Sequence, residues 1–455
     1  MSSVTTPAFS SEPPADDLLL ARQHRRESSA RTYSRRLPIV LADGDGVLVR
    51  DTAGREYLDC LAGAGSLALG HRHPAVVEAL YATLNAGVPL TTLDLATPQR
   101  DEFVETLFGV LPRSLRGGRI QFCGPTGADA VEAAIKLART ATGRGGVIAF
   151  GGAYHGMTQT TLELSGARAP KAALGDRGDA VQHLPFPSSY RCPFGAGGER
   201  GAELCARALR WALTDTHSGI LPPAAIIVEP VQGEGGVHPA PASFARALRA
   251  IATKAGAVLI ADEVQTGLGR AGTMWASEPI GLDPDVLVLS KAIGGSQPLA
   301  LIVYRAELDV WQPGAHAGTF RGNTLGLAAG GATIRYVAEH GLSEHAAAMG
   351  ERLLAGLREQ TDGLPVVADV RGRGLMIGVE LVDPRRPDDD GVPVPDGTLA
   401  AAVQRAMLDL GVLVETGGRD GAVIRFLPPL IVDARQIDRI AGAFAKAVWS
   451  AWRSP

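Results

Sequence analysis

Lys291 is the residue whose type and setting most directly suggest chemistry. It ends a run of branched apolar residues and precedes two glycines, in the segment PDVLVLSKAIGG at 284–295. Burying an unpaired ammonium is costly, so such a lysine either lowers its pKa or finds a partner. A desolvated lysine is an amine nucleophile suited to forming a Schiff base with a carbonyl compound. A surface lysine that merely follows a strand is the alternative, and this segment alone leaves both interpretations open.

The other lysines are poorer candidates for this amine. Lysine occurs only at positions 136, 171, 254, 291 and 446. The lysines at 136, 254 and 446 fall in or near predicted helices, and the one at 171 falls in a polar loop. Only Lys291 follows a predicted buried strand, which makes it the candidate nucleophile.

Three further segments carry residues that could serve a cofactor. In ADEVQTGLGRAG (261–272), Asp262 ends an apolar strand. Its carboxylate could cap a helix or face a pyridinium nitrogen, as an aspartate does when it tunes pyridoxal phosphate. In CGPTGADAVEAAIKLAR (123–139), small residues lead into a helix whose free N–H groups favour a phosphate. In GGAYHG (151–156), an aromatic ends a strand and could stack on a ring or simply pack.

The elements that must position these residues alternate between strand and helix from about 115 to 330. Predicted strands are RIQFCG, GVIAFGG, AAIIVEP and AVLIADE, and predicted helices are ADAVEAAIKLARTATG and PASFARALRAIATKAG. Phe244, Leu248 and Ile251 share one face of the second helix. This alternation predicts an α/β fold with a parallel sheet covered by helices on both faces. Ligands of such sheets gather at the carboxyl ends of the strands, where the unusual polar residues fall.

Composition divides the chain into parts with different predicted roles. These are a disordered tail at 1–20, an N-terminal segment at 21–75 that joins the small domain, a large cofactor-binding domain at 76–340, and a C-terminal small α+β domain at 341–455. The N-terminal segment contains a predicted hairpin that turns at 51–54. The small domain contains a proline- and aspartate-rich stretch at 383–396, which predicts a loop.

Charge and cysteine usage limit the function classes. The chain has 455 residues and a net charge of −4, and its basic residues are scattered, which argues against nucleic acid or membranes as partners. No apolar run approaches the ~20 residues of a membrane span. Cys60, Cys123, Cys192 and Cys205 form no Cys-x-x-Cys pair and no signal peptide is recognised, so we expect free thiols and a cytoplasmic location.

Taken together, these segments resemble the class III, fold-type I pyridoxal-phosphate aminotransferases. The motifs that carry the resemblance, spread from about 30 to 450, are TGADAVEAAIKLAR, GGAYHGMT, VEPVQGEGG, IADEVQTGLGRAG, LSKAIGG, GTFRGN and IRFLPPL. The resemblance implies a large domain with a mostly parallel sheet sandwiched by helices, and a smaller α+β domain. It also implies pyridoxal 5'-phosphate as cofactor, amino acids and 2-oxo acids as substrates, and a homodimer with shared active sites.

The resemblance also implies roles for individual residues. Lys291 would hold the cofactor as a Schiff base and move the substrate proton, and Asp262 would pair with the ring nitrogen. The remaining cofactor contacts implied are Thr126, Gly127 and Ala128 at the phosphate, Tyr154 stacked on the ring, His155 at its edge, Glu229 close by, Gln265 at the phenolic oxygen, and Thr319 at the phosphate of the neighbouring subunit.

Three residues are implied to bind substrates. Glu234 would mask Arg425 while an ω-amine donor binds and would then move away, so that Arg425 can clamp an α-carboxylate. Many relatives carry an arginine soon after the stacking aromatic, for the distal carboxylate of glutamate, but here Met157 stands in that region. Arg321 in GTFRGN is the candidate replacement, and a structural role for it is the alternative.

The segments DCLAGAGSLALGHRHP, LTTLDLATPQRDEF, YHGMTQ and GTFRGN resemble the diaminobutyrate–2-oxoglutarate branch of the family. That branch implies interconversion of L-2,4-diaminobutyrate and 2-oxoglutarate with L-aspartate 4-semialdehyde and L-glutamate, to supply siderophore, peptide, diaminopropane or ectoine synthesis. An ornithine- or 4-aminobutyrate-type ω-aminotransferase, an aminomutase and a non-enzymatic regulator are the alternatives. His71 and His73 in GHRHP are interpreted as a turn before a helix, and no metal site is predicted.

Overall fold

The computed structural model describes residues 15–175 and 180–453. Its helices vary from single turns to five turns. They are α1 (Ala15–Arg26), α2 (Tyr33–Arg36), α3 (Ala62–Gly65), α4 (Pro74–Asn85), α5 (Pro98–Val110), α6 (Gly127–Thr142), α7 (Gln159–Leu164), α8 (Gly198–Thr214), α9 (Ala242–Ala255), α10 (Thr324–Glu339), α11 (Leu342–Gln360), α12 (Gly397–Asp409) and α13 (Ala434–Arg453).

The strands are short except in the C-terminal part. They are β1 (Leu41–Asp45), β2 (Leu48–Asp51), β3 (Glu56–Asp59), β4 (Arg119–Phe122), β5 (Val147–Phe150), β6 (Val181–Leu184), β7 (Ala225–Val228), β8 (Val231–Gln232), β9 (His238–Pro239), β10 (Val258–Asp262), β11 (Val286–Leu289), β12 (Leu301–Tyr304), β13 (Val367–Arg373), β14 (Met376–Pro387), β15 (Pro393–Pro395), β16 (Val412–Leu413), β17 (Glu415–Gly417) and β18 (Val423–Phe426).

The central sheet has seven strands in the order β4-β12-β11-β10-β7-β5-β6. Neighbours from β11 to β6 pair in parallel, and β12 runs antiparallel to both of its neighbours. Ile226 packs in one core with Phe244 of α9, whereas Ile227 packs in a second core with Ile135 of α6. Successive residues of one strand therefore point into cores on opposite faces of the sheet. The predicted mostly parallel α/β sheet covered by helices is confirmed.

Two antiparallel sheets flank the central one. In the C-terminal part, β13-β14-β18-β17 are paired in that order and β15 pairs with β14. Near the N-terminus, β1, β2 and β3 form an antiparallel set, with the predicted hairpin turning at Gly54 (φ +84°). The C-terminal strand β16 pairs in parallel with β3. This pairing supports the proposal that the N-terminal segment joins the small domain.

Two predictions need correction. Helix α1 begins at Ala15, so the predicted disordered tail is wrong for residues 15–20, while residues 1–14 lie outside the described residues. The predicted loop at 383–396 is mostly a hairpin, because β14 continues to Pro387 and pairs with β15. Prolines are tolerated there because β15 lies at the edge of the sheet.

Helix α6 shows how local sequence places the start of a helix at the site. The Thr126 hydroxyl accepts a hydrogen bond from the Asp129 N–H, as a helix N-cap does, and Gly143 ends the helix in a left-handed conformation (φ +68°). The helix therefore begins directly after the turn that follows β4. Among the described helices, none is long and apolar enough to cross a membrane.

Candidate functional site

A cavity of ≈ 430 Å³ lies at the carboxyl ends of the central strands. The predicted site residues that line it follow β4, β5, β7, β10 and β11 or lie in the turn between β8 and β9. They are Thr126, Gly127, Ala128, Tyr154, His155, Glu229, Glu234, Asp262, Gln265 and Lys291. The structure thus brings together residues that are spread over more than a third of the chain, at the position expected for a parallel sheet.

Lys291 projects from a strained turn directly after β11. Its backbone has φ +49°, in the left-handed region that non-glycine residues avoid at a cost of roughly 1 kcal/mol. Burial lowers the pKa of its ammonium group, and the nearby Glu234 carboxylate only partly opposes this. The side chain makes no hydrogen bond or ion pair with the described residues. It is therefore a half-buried amine at the cavity wall with a lowered pKa, as a Schiff-base lysine needs.

Asp262 and His155 form a buried pair beside this lysine. The His155 Nδ1–H donates to Asp262 Oδ2 over 2.7 Å, and both side chains are almost fully enclosed. Burial by itself lowers the pKa of His155, but the hydrogen bond to Asp262 and the negative charge of that carboxylate outweigh it, so the pKa is raised. His155 therefore fixes the aspartate in orientation, with one carboxylate oxygen held by the ring N–H.

Glu229 is a second buried carboxylate behind the cavity. Its two oxygens accept hydrogen bonds from the Tyr154 N–H and the Gly233 N–H, each over 2.9 Å. Burial raises its pKa to about 7, and the hydrogen bonds only partly offset that rise. Through these bonds, Glu229 joins the segment after β5 to the turn between β8 and β9.

The first turn of α6 is open towards the cavity. Gly127 and Ala128 line it, and no hydrogen bond to either N–H is formed by the rest of the described chain. A side chain at Gly127 would meet Val264 at 3.1 Å, and one at Gly156 would meet the Ala128 Cβ at 2.7 Å. Close packing and a φ of +130° thus require glycine at 156, whereas a side chain at 127 would need a small shift of Val264. Free N–H groups at a helix start bind anions, so this turn fits a phosphate.

Arg425 is completely buried and lies behind Glu234 and Gln265, which line the cavity. It projects from β18, and its Nη1 donates to Glu234 Oε1 over 2.6 Å. Its Nη2 donates to Gln265 Oε1 over 3.0 Å, while Gln265 Nε2 donates to the Ala64 carbonyl. Burial raises the pKa of Glu234, but the charges of Arg425 and Lys291 and the hydrogen bond from Arg425 together outweigh this, and the pKa is lowered. The predicted Glu234–Arg425 pair is present, and Gln265 is engaged with it.

Sequence reasoning missed Glu415 and Tyr33, which complete this end of the site. Glu415 stands opposite Arg425 in the β17–β18 register, and its Oε2 lies 3.2 Å from Arg425 Nη1. The Tyr33 hydroxyl donates to Glu415 Oε1 over 2.7 Å. The signal that could have identified Glu415 is an acid that directly follows the apolar run GVLV at 411–414. No comparable signal marks Tyr33.

Thr319 and Arg321 do not reach the cavity of their own chain. Thr319 is exposed, next to Phe320, whose side chain is also exposed. Arg321 Nη2 donates to Asp94 Oδ2 over 2.6 Å, and its Nη1 donates to the His316 carbonyl. A role for Thr319 at a neighbouring subunit and a role for Arg321 at a distal carboxylate stay predictions.

One group of side chains outside the cavity has the composition of a metal site. Ligand atoms of Cys123, Asp129 and His316 lie within 4.8 Å of one another. However, Asp129 Oδ2 already accepts from His316 Nε2 (3.0 Å) and from the Gly124 N–H (2.6 Å). The Lys136 ammonium lies 3.2 Å from His316 Nδ1, where it would repel a cation. We interpret this group as a structural network that ties the loop around residue 316 to α6.

His71 and His73 have separate surroundings. His71 Nε2 bonds Asp59 Oδ2 over 2.8 Å, whereas the His73 ring packs edge-on against Tyr336 and precedes the start of α4 at Pro74. Their side chains therefore have different partners, in keeping with a turn before a helix.

The residues present fit the cofactor that the resemblance implies. The cavity offers a half-buried amine without a partner, a carboxylate oriented by a histidine, a tyrosine ring and free helix N–H groups. In that order, these groups are suited to bind the carbonyl, the ring nitrogen, the ring face and the phosphate of pyridoxal 5'-phosphate. We refer to the surroundings of Lys291, Asp262 and α6 as the lysine end, and to those of Arg425 as the arginine end.

Comparisons with known proteins agree with this geometry. Residues 29–448 match the family described as aminotransferase class-III. The chain is 52% identical to the diaminobutyrate–2-oxoglutarate aminotransferase of Rhizobium meliloti (strain 1021), over 94% of this chain and 92% of that protein. It is 46% identical to the protein of the same name from Haemophilus influenzae (strain ATCC 51907 / DSM 11121 / KW20 / Rd), over 94% of each chain.

The fold also resembles solved structures. A PLP-bound amine transaminase from an uncultivated Pseudomonas species superimposes with a TM-score of 0.83 and is 29% identical. The match covers 94% of this chain and 98% of that one.

Proposed function

Because the chain belongs to the class-III aminotransferase family, we propose that it is a pyridoxal-phosphate-dependent diaminobutyrate–2-oxoglutarate aminotransferase. The reaction converts L-2,4-diaminobutyrate and 2-oxoglutarate into L-aspartate 4-semialdehyde and L-glutamate. The observation that carries the proposal is the convergence of Lys291, Asp262 and the start of α6 on one cavity whose other end is closed by Glu234 and Arg425.

When bound, pyridoxal 5'-phosphate supplies a carbonyl for the amino group and a ring that accepts electrons from the carbon losing its proton. Lys291 would hold the carbonyl, and the first turn of α6 would hold the phosphate through the Gly127 and Ala128 N–H groups. Asp262 would hold the ring nitrogen. Tyr154 would cover a ring face, and Gln265 is proposed at the phenolic oxygen.

Lys291 is the proposed general acid and base. Its half-buried position lowers the pKa of the amine, so that the neutral form is available to accept a proton near neutral pH. Once displaced by a substrate amine, it would take the proton from the substrate carbon and return it to the cofactor. The hydrogen bond from His155 orients the Asp262 carboxylate, which would face the ring nitrogen of the cofactor.

Glu234 and Arg425 provide the proposed means of accepting two different substrates. Glu234 lies in the turn between β8 and β9, and its side chain is 34% exposed, so it is able to move towards the cavity. Its departure would remove one of the two carboxylates that contact Arg425 Nη1 and would leave that side of the guanidinium open to the α-carboxylate of glutamate. Glutamate reacts at its α-amino group, whereas diaminobutyrate reacts at its 4-amino group. The α-carboxylate of diaminobutyrate is therefore farther from the reacting nitrogen and does not need to bind Arg425.

The proposal includes a homodimer in the cytoplasm. A second subunit would give the exposed Thr319 and Phe320 a binding site, and large exposed apolar side chains such as Leu95 and Tyr81 suit an interface. The division into an N-terminal segment, a large domain at 76–340 and a small domain at 341–455 is likewise proposed.

The test is to incubate the purified protein with L-2,4-diaminobutyrate and 2-oxoglutarate and to measure glutamate. Ornithine and 4-aminobutyrate replace diaminobutyrate in parallel assays. We expect glutamate chiefly from diaminobutyrate. Glutamate formed from ornithine or 4-aminobutyrate but not from diaminobutyrate would retain the chemistry and refute the substrate.

A further inference from the structure

The arginine end carries more negative charge than one arginine neutralises. Arg425 Nη1 lies 2.6 Å from Glu234 Oε1 and 3.2 Å from Glu415 Oε2. We call Arg425, Glu234 and Glu415 the charge triad. With one guanidinium and two carboxylates it has one excess negative charge. Arg425 and Glu415 are buried, so water screens their charges poorly, whereas the charge of Arg36, which also reaches Glu234, is exposed to water.

The two carboxylates of the triad differ in how firmly they are held. Glu415 is buried, lies on β17 directly opposite Arg425, and accepts the Tyr33 hydroxyl at one oxygen. Its other oxygen is buried and forms no hydrogen bond with the described residues. Glu234, by contrast, lies in a turn and borders the cavity. Glu415 therefore stays in place whichever way Glu234 points.

Glu415 is connected to the cavity through Arg425, which it contacts and which donates to Glu234 and Gln265, two residues that line the cavity. Burial lowers the pKa of Lys291, and the negative charge of Glu415 opposes this change. Burial raises the pKa of Tyr154, and the charge of Glu415 adds to that rise. Both of these residues line the cavity. A substrate occupying the same space therefore experiences the field of Glu415.

Candidate amino donors differ in the charge of the end that does not react. L-2,4-Diaminobutyrate, reacting at its 4-amino group, keeps an ammonium beside its carboxylate, so that end is neutral overall. 4-Aminobutyrate keeps only a carboxylate. A site with an excess negative charge repels the carboxylate of 4-aminobutyrate and attracts the α-ammonium of diaminobutyrate.

We propose that Glu415 is a specificity-determining residue that selects amino donors whose non-reacting end carries an ammonium beside its carboxylate. The inference rests on the proposed function and identifies Glu415 as the residue that discriminates between amino donors of that reaction. Tyr33 acts as a positioning residue, since its hydroxyl holds Glu415 Oε1 while Oε2 lies against Arg425 Nη1.

The first experiment uses the wild-type holoenzyme. L-2,4-Diaminobutyrate is compared with L-4-amino-2-hydroxybutyrate, in which a hydroxyl replaces the α-ammonium at the same position. Single-turnover kinetics, followed by the absorbance of the bound cofactor, give kcat/KM for each donor half-reaction. We expect the hydroxy compound to react about 30-fold less efficiently, because a charged interaction is lost. Equal efficiency would overturn the proposal without any variant.

The second experiment repeats the comparison in Glu415→Gln, with Tyr33→Phe as a variant that retains the carboxylate. In Glu415→Gln the difference between the two donors should shrink to about threefold, and the preference for diaminobutyrate over 4-aminobutyrate should fall with it. Tyr33→Phe should retain most of the preference. The glutamate half-reaction is the internal comparison, since glutamate presents no second ammonium, and it should lose far less than the diaminobutyrate half-reaction.

The outcomes separate this inference from the proposed function. If the wild type does not turn over diaminobutyrate at all, the proposed function fails. If diaminobutyrate is a good donor but Glu415→Gln slows both half-reactions equally, Glu415 merely supports Arg425 and the specificity proposal is overturned. A preference that survives in a folded, cofactor-loaded Glu415→Gln enzyme overturns it as well.

Discussion

At the lysine end of the cavity, the chemical groups follow strands of one parallel sheet, whereas the arginine end is assembled from separate parts of the fold. Asp262 ends β10 and Lys291 follows β11, and these strands are hydrogen-bonded neighbours. Arg425 comes from the C-terminal antiparallel sheet, and its guanidinium meets the Glu234 carboxylate through a side-chain contact, while the Glu234 backbone carbonyl is held by the Gly418 N–H. The cavity thus joins two differently built halves.

This difference bears on what each end can do. Backbone hydrogen bonds between neighbouring strands fix the lysine end, and a fixed geometry suits groups that must always meet one cofactor. Side-chain contacts can exchange partners without disturbing a strand, so the arginine end is able to present either a masked or a free arginine. The groups proposed to bind the cofactor thus lie on the central sheet, whereas the Glu234–Arg425 contact, which is proposed to alternate between two substrates, lies between separate segments.

The largest expected effect is at the lysine end. Lys291→Ala should lower kcat for both half-reactions by about 10⁴-fold or more, because an acid–base group and the point of covalent attachment are lost together. Borohydride reduction followed by peptide mass spectrometry should find the cofactor on residue 291 of the wild type and nowhere in the variant. Lys254→Ala, at an exposed helix position, is the matched control. Cofactor attached to another lysine of the wild type would contradict the assignment.

At the arginine end, removal of one charge should cost stability as well as activity. Arg425→Gln leaves Glu234 and the buried Glu415 without their cation, which should lower the free energy of unfolding by roughly 3 kcal/mol. Urea unfolding measures this. Arg352→Gln, which breaks an exposed pair with Asp438, is the control and should leave the unfolding midpoint close to that of the wild type. Similar losses in both variants would mean that burial of the triad has no special effect.

Glu229, between the two ends, should give stability a distinctive pH dependence. Burial raises its pKa from 4.5 to about 7. Between pH 4.5 and 7 the Glu229 carboxyl is therefore ionised in the unfolded chain but protonated in the folded chain. The contribution of Glu229 to the free energy of unfolding should therefore fall by up to about 1.4 kcal/mol per pH unit as the pH rises across this range.

The measurement compares wild type with Glu229→Gln by urea unfolding at several pH values. The quantity of interest is the difference between the two proteins, since other groups titrate in both. That difference should decline with rising pH and level off above pH 7. A difference that is flat or rises with pH would show that Glu229 is ionised in the folded protein.

The smallest expected effect concerns the loop that leads to Thr319. Lys136 Nζ donates to the Ala315 carbonyl over 3.1 Å and lies 3.2 Å from His316 Nδ1, at the surface of α6. Lys136→Met should change overall stability by well under about 1 kcal/mol. Amide hydrogen exchange around residues 314–320 should nevertheless become faster, because the loop loses an anchor. Lys446→Met, on the exposed face of α13, is the control, and equal exchange in both variants would refute the anchoring role.

Much of the lysine end could be predicted from the sequence. Lys291 and Asp262 follow apolar runs that can only be buried strands, and direction along a parallel strand determines which end carries the functional group. The same reasoning located α6 and its open first turn. It was wrong for residues 15–20, which continue into α1, and for 383–396, where β14 and β15 extend into a stretch rich in prolines and aspartates.

The arginine end was only partly predictable. Glu234 and Arg425 were expected to meet because their motifs resemble those of the family. The only local sign of Glu415 is that it follows the apolar run at 411–414, and no local pattern indicated Tyr33. Tyr33 and Glu415 are 382 positions apart in the chain. Their contact depends on how the N-terminal segment packs against β17.

The sequence by itself determined which residue types stand at the ends of the central strands, because hydrophobic runs specify strands and their direction specifies the end at which a ligand binds. Only the tertiary structure decided that Arg425 is shared by two carboxylates and that Glu415 is held by Tyr33. The physical reason is that a buried ion pair is set by distances between segments far apart in the chain, and these distances exist only once the separate sheets have packed together.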